Sequence, residues 1–251
     1  MNKYKNVILL ALLVCAAVSV KAGTMDQFFE AGNKYYADGA YDKAVVEYEK
    51  VLASGYHSPE LYFNLGNAYF RGGQLGKAIM NYVRAQRLDP RDDDIKANLR
   101  FARQFAIDKI EVTEETILLD YINRFFDSFS LKEITWLTFC LYLLTAVALL
   151  AGFIYRRLRV PTSLFAVILA LLVMTSLCTA VKVNRDYAKR TGVILDQQAE
   201  IKNSPATDSK LQFMAHAGLT FTIEREESGY YLVNFANRLK GWIAKTAVAE
   251  I

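Results

Sequence analysis

Three long apolar runs, none of them interrupted by a charged residue, dominate the hydrophobic pattern of the chain. The first covers residues 7–20, follows Lys3 and Lys5, and is succeeded by Ala22. A basic start, a short apolar run and a small residue at its end are typical of a secretory signal peptide. Residues 1–22 are therefore predicted to be a signal peptide, with an uncleaved signal anchor as the alternative.

The other two apolar runs, residues 134–155 and 161–181, are each long enough to cross a bilayer as a helix. They predict transmembrane helices 1 and 2, with the lipid bilayer as a partner. The short loop between them contains three arginines, which favours a cytoplasmic position. An exported N-terminus requires the same topology, although the basic residues that follow residue 181 favour the opposite one. We give the signal peptide more weight and expect both flanking regions outside the cytoplasm.

A repeat of 34 residues lies between the signal peptide and the first apolar helix. The identical pairs are Phe29 and Phe63, Gly32 and Gly66, Asn33 and Asn67, Tyr35 and Tyr69, Gly39 and Gly73, Lys43 and Lys77, Ala44 and Ala78, and Tyr48 and Tyr82. This period, with small residues where two helices cross, resembles the tetratricopeptide (TPR) repeat. Residues 25–110 are therefore predicted to be an all-α TPR solenoid of two repeats, closed by a capping helix that begins near Asp93.

The TPR resemblance implies a partner-binding groove on the first helix of each pair. The positions that it implies are Phe29, Asn33, Tyr36, Phe63, Asn67, Phe70 and Arg71. Asn33 and Asn67 match asparagines of TPR proteins that hold a terminal carboxylate, but the cations of that clamp are missing. An aromatic groove with two amides suits a helix or an extended apolar peptide. The alternative is that several of these aromatic residues are simply buried.

A second apolar pattern, over residues 113–132, precedes the first transmembrane helix. Apolar residues at spacings of three and four form one stripe: Ile117, Leu118, Tyr121, Ile122, Phe125, Phe126 and Phe129. Such a stripe predicts an amphipathic juxtamembrane helix that lies in the membrane interface. The alternative is packing against the open end of the solenoid.

Residues 191–251 have the short alternations and turns of a small all-β domain. Five or six strands are predicted. The order of elements, including the Gly241-Trp242 pair, resembles a bacterial SH3 domain, which implies a small SH3-like barrel. Tyr230, Tyr231 and Trp242 are interpreted as core or edge residues more readily than as ligand contacts.

Composition narrows the function. The chain is 53% apolar and only 22% charged, and this composition excludes an ordinary soluble domain. Its net charge of +4 is too small to indicate nucleic-acid binding. No nucleotide, metal or nucleophile motif is found, and His57 and His216 are isolated. We expect no catalytic, metal-binding or cofactor-binding residues, and hence no enzyme.

Cys140 and Cys178 lie inside the two spans, where packing is favoured over a disulfide.

The order of these parts resembles the TPR/SH3 membrane proteins of the Bacteroides aerotolerance (Bat) operons, of the BatE type. The resemblance implies a multidomain protein of the bacterial inner membrane, with its TPR and SH3-like domains in the periplasm. It also implies a stress-related envelope complex in which the partners are von Willebrand factor A-type and TPR membrane proteins. The alternative function is cell-wall binding, to peptidoglycan or a wall peptide, through the SH3-like domain.

Overall fold

The computed structural model describes residues 25–108, 128–154, 162–184, 188–235 and 239–251. The predicted signal peptide, most of the predicted juxtamembrane helix and the arginine loop lie outside the described residues.

Five consecutive helices form the N-terminal region. They are α1 (residues 25–37), α2 (Tyr41–Ala53), α3 (Pro59–Arg71), α4 (Leu75–Leu88) and α5 (Asp93–Gln104). Ser58 caps α3 by accepting a hydrogen bond from the backbone N–H of Leu61, and Pro59 occupies the first turn. Gly73, which follows α3, has a φ of 76°, a conformation that is cheap only for glycine. These helices confirm the predicted TPR solenoid.

The small residues of the repeat lie where the paired helices approach most closely. A Cβ atom added to Gly32 would lie 2.5 Å from the Tyr48 ring, and one added to Gly66 would lie 2.7 Å from the Tyr82 ring. Tyr48 and Tyr82 are 1% and 2% exposed. Each repeat therefore inserts a buried tyrosine ring against a glycine, which explains why both residues recur with the period of 34.

Two apolar helices, α6 (Leu131–Ile154) and α7 (Thr162–Val183), pack against each other. Both are long and apolar enough to cross a membrane. Only 6% and 11% of their most apolar segments is buried inside the protein, so most of their surface is exposed. The Thr138 and Thr179 hydroxyls are 3.2 Å apart, which places the start of α6 beside the end of α7. The helices thus form an antiparallel hairpin whose two ends emerge on the same side.

The C-terminal region is one antiparallel sheet. Its strands are β1 (Thr191–Ile194), β2 (Gln198–Lys202), β3 (Leu211–His216), β4 (Thr220–Glu227), β5 (Tyr230–Phe235), β6 (Lys240–Ala244) and β7 (Val248–Glu250), in the order β3-β2-β6-β5-β4-β1-β7. The prediction of five or six strands was too low, because the three residues of β7 are too few to show a period. Within the described residues the sheet is open, with β3 and β7 at its edges, so the all-β region is confirmed but a closed barrel is not.

The sheet packs against α4 of the solenoid. Arg87 donates hydrogen bonds to the Ile251 carbonyl and the Thr191 hydroxyl, both at 2.7 Å, and Arg84 donates one to the Glu250 carbonyl at 2.8 Å. A Cβ atom on Gly76 would lie 2.3 Å from the carbonyl oxygen of the last residue of β1. The two regions are therefore in backbone-to-backbone contact.

Candidate partner-binding groove

Two asparagines, one in each repeat, organise the surface formed by α1, α3 and α5. The Asn33 Oδ1 atom accepts hydrogen bonds from the Tyr48 hydroxyl at 2.8 Å and from the Asn64 Nδ2 atom at 3.2 Å. One repeat later, the Asn67 Oδ1 atom accepts a bond from the hydroxyl of the equivalent tyrosine at 2.7 Å. Its second bond comes from Asn98 Nδ2 at 2.8 Å. We call the four asparagine side chains, Asn33, Asn64, Asn67 and Asn98, the amide ladder.

The amide ladder uses the oxygen atoms of Asn33 and Asn67 fully, because a carboxamide oxygen has two lone pairs. Within the described residues, the Nδ2 donors of these two asparagines have no hydrogen-bond partner in the protein. Both residues line a cavity of about 180 Å³ together with Tyr36, Tyr48 and Asn64. The cavity is smaller than a cofactor site but large enough for one side chain of a bound peptide. Its free donors suit a carbonyl or carboxylate oxygen.

The tyrosines around the cavity stay protonated. Burial raises the pKa of the Tyr48 phenol, and the neighbouring Tyr36 phenol raises it further. The pKa of Tyr82 is raised for the same two reasons. Burial also raises the pKa of Tyr36, whereas the Arg71 guanidinium acts in the opposite direction. The cavity therefore presents neutral hydroxyl and amide groups.

The structure places the predicted groove residues in different surroundings. Asn33, Tyr36 and Asn67 line the cavity. Phe29 and Phe63 are partly buried and pack against the solenoid core. Their ring centroids lie 5.8 and 6.1 Å from those of the buried tyrosines of their own repeats. Each of these two rings is therefore partly covered by its own repeat.

The remaining two predicted residues, Phe70 and Arg71, lie at the end of α3. Phe70 contacts Phe101 and Phe105, with ring centroids 5.6 and 5.4 Å apart. Phe101 and Phe105 are 50% and 56% exposed, so this cluster is an open apolar surface. Arg71 lies over the Tyr41 ring, 5.2 Å from its centroid.

Sequence reasoning did not include Asn64 and Asn98 among the predicted residues, although both belong to the amide ladder. Their signal was present, because Asn64-Leu65 recurs as Asn98-Leu99 after 34 residues. The corresponding position in the first repeat is Glu30, so the repeat is incomplete there.

Two of the three aromatic residues that the sequence singles out in the sheet are buried, whereas Tyr230 is half-buried. Tyr231 and Trp242 are 9% and 5% exposed. The Tyr231 hydroxyl donates to Glu250 at 2.8 Å, and Arg225 covers the Trp242 ring at 5.0 Å from its centroid. A hydrogen bond from Arg190, followed by that from Tyr231, lowers the pKa of the Glu250 carboxyl. These contacts leave little aromatic surface for a ligand on this part of the sheet.

Cys140 and Cys178 are free thiols. In the described part of the chain, no group of three or more His, Cys, Asp or Glu side chains is arranged to hold a metal ion.

Comparison with known protein families agrees with the solenoid. Residues 32–73 match the TPR repeat, and residues 59–92 match the tetratricopeptide repeat. No curated protein sequence matches the chain significantly. The chain thus carries TPR repeats, and such repeats form scaffolds for protein–protein interaction.

Proposed function

We propose that this protein is a membrane-anchored scaffold of a Bat-type envelope complex, and that its amide ladder binds a segment of a partner protein. The proposed partners are von Willebrand factor A-type and TPR membrane proteins. The scaffold has no catalytic role in this proposal. The observation that supports it best is the pair of free amide donors, on Asn33 and Asn67, beside a cavity in a TPR solenoid.

The proposed location is the bacterial inner membrane, with the solenoid and an SH3-like C-terminal domain in the periplasm. The antiparallel hairpin supports a common side for both regions, because the start of α6 and the end of α7 are adjacent. The N-terminal pattern of residues 1–22 supports the exported side. Fusions of alkaline phosphatase after Asp108 and after Ile251 test this topology: both should be active, and two inactive fusions would contradict it.

The amide ladder allows a substitution that separates binding from folding. Asn33→Ala would remove the acceptor of the buried Tyr48 hydroxyl and destabilise the solenoid. Asn33→Asp with Asn67→Asp instead keeps both acceptors and replaces only the free NH₂ donors with oxygen. A peptide oxygen would then face a carboxylate in place of a donor.

The test is co-purification of a crosslinked von Willebrand factor A-type partner from intact membranes. The Asp double variant should recover at least about tenfold less partner, because a lost hydrogen bond that leaves an unpaired group costs about 1–3 kcal/mol. Gln27→Glu with Gln197→Glu is the matched control, since it adds the same charge at two exposed positions outside the cavity. Equal recovery from both variants, with the Asp variant folded, would refute the groove.

A further inference from the structure

A second and larger cavity lies between the solenoid and the first turns of α6. Its volume is about 740 Å³, and Leu88, Leu131, Trp136 and Phe139 give it a mainly apolar wall. An ion pair between Arg91, just before α5, and Glu133 of α6 joins the two sides. The cavity is therefore formed by the way the solenoid meets the apolar hairpin.

The charge in this cavity has one sign. Arg87 and Lys132 line it, and no acidic residue is among the described residues that do so. Arg87 is held in place by its hydrogen bonds to Thr191 and Ile251. Lys132 is exposed. A cationic edge beside an apolar wall is complementary to an anionic amphiphile, and not to a small inorganic ion alone.

The position of the cavity in the chain indicates what fills it. Trp136 and Phe139 lie near the start of α6 and are 57% and 47% exposed. Their ring centroids are 5.7 Å apart. Exposed aromatic residues at the end of an apolar helix are typical of the membrane–water interface. Lys132, one turn earlier, then lies at the level of the lipid headgroups.

We propose that this cavity binds an anionic phospholipid of the surrounding bilayer. The phosphate is held by Lys132 and Arg87, and an acyl chain lies against Leu131, Trp136 and Phe139. The volume is within the usual range of small-molecule sites, and it accommodates a headgroup with the upper part of a chain. This inference rests on the membrane anchoring in the proposed function, but not on the partner-binding groove.

Trp136 provides the assay. The full chain is reconstituted in phosphatidylcholine vesicles that contain a minor fraction of bromine-labelled lipid, which quenches nearby tryptophan fluorescence. The label is placed either on phosphatidylglycerol or on phosphatidylcholine. Trp242 is 5% exposed in the sheet and contributes a constant background. We expect stronger quenching by labelled phosphatidylglycerol, because the cavity concentrates that lipid beside Trp136.

The variant is Lys132→Gln. It should reduce the preference for phosphatidylglycerol roughly fivefold, since one basic side chain near an anionic surface is worth about 1 kcal/mol. Lys132→Arg should retain the preference. Lys210→Gln, which removes an exposed lysine from the loop between β2 and β3, should also retain it.

The results separate a failure of membrane anchoring from a failure of the lipid site. Release of the protein from membranes by alkaline carbonate would show that the anchoring has failed. An anchored protein with equal quenching by both lipids would overturn the lipid site alone, whether the cavity is empty or filled by the chain's own residues 109–127. Added inorganic phosphate should relieve the quenching only weakly, because phosphate lacks the acyl chain that lies against the apolar wall. Asn33→Asp with Asn67→Asp should leave the lipid preference unchanged.

Discussion

The contact between the solenoid and the sheet can be tested at Gly76, near the start of α4. Within a helix, replacing glycine by alanine normally stabilises by up to about 1 kcal/mol. Here the added Cβ would lie 2.3 Å from the Ile194 carbonyl oxygen and 2.8 Å from the Leu195 Cα atom. Both are backbone atoms, so no side-chain rotation removes the clash. The sheet must move away from α4 by about 1 Å to reach ordinary contact.

The expected result of Gly76→Ala is therefore opposite in sign to helix propensity. Overpacking of a close contact typically costs about 1–3 kcal/mol, which exceeds the propensity gain. Because the clash lies between two regions, we expect the loss in their association and not in the internal stability of the solenoid. Gly66→Ala is the matched comparison. Its Cβ would meet the Tyr82 ring inside a repeat, and it should unfold the solenoid itself.

The association of the solenoid with the sheet can be measured as the distance between two spin labels. The labels are attached at Asp38→Cys and Asp208→Cys in a protein whose native cysteines are replaced by serine. Both positions are exposed, one in the solenoid and one in the sheet. Gly76→Ala should broaden or lengthen the distance distribution, while the helical circular dichroism stays the same. An unchanged distribution with a stability gain of about 1 kcal/mol would show that Gly76 makes no close contact, and would refute the reasoning.

Three further changes test individual interactions. Tyr82→Phe should lower the unfolding free energy of the solenoid by about 1 kcal/mol in a denaturant titration, because Asn67 Oδ1 loses one of its two donors. Asp92→Ala should cost about 1 kcal/mol in the same measurement, since the Asp92 carboxylate accepts hydrogen bonds from two backbone N–H groups of α5. Acid should weaken the sheet. The hydrogen bond from Arg190 lowers the pKa of Glu250 in the folded state. The stability that this interaction contributes is therefore complete above the pKa of Glu in the unfolded chain, about 4.3, and it is lost as the pH falls through the lower pKa of the folded protein. Glu250→Gln should remove this part of the pH dependence of thermal unfolding, and an unchanged pH profile would contradict the assignment.

The sequence was most informative where a physical constraint repeats. Gly32 with Tyr48, and Gly66 with the tyrosine 16 residues after it, are visible because each repeat must solve the same close helix crossing. The two apolar helices could also be predicted from the sequence, because a helix that crosses a bilayer requires about 20 apolar residues. The repeat thus predicted the solenoid, and the length of the apolar runs predicted the two helices of the hairpin.

Contacts that occur once were not predictable in this way. Gly76 resembles any tolerated glycine at a helix start, because its neighbour Ile194 lies more than a hundred residues later. The second half of the amide ladder was missed for a related reason. Asn64 and Asn98 repeat, but Glu30 breaks the series, and only the structure shows that these amides donate to Asn33 and Asn67.

The arrangement of the contacts separates three surfaces on one small solenoid. The amide ladder lies on α1, α3 and α5, the sheet packs on α4, and the cavity proposed to bind lipid lies where the solenoid meets α6. Since α4 is the second helix of its repeat, sheet docking leaves the amide ladder open. Arg87 connects the last two surfaces, because it bonds to the sheet and lines the lipid cavity. On the proposed lipid site, a bound lipid would therefore bias the docking of the sheet, whereas the amide ladder shares no residue with either surface.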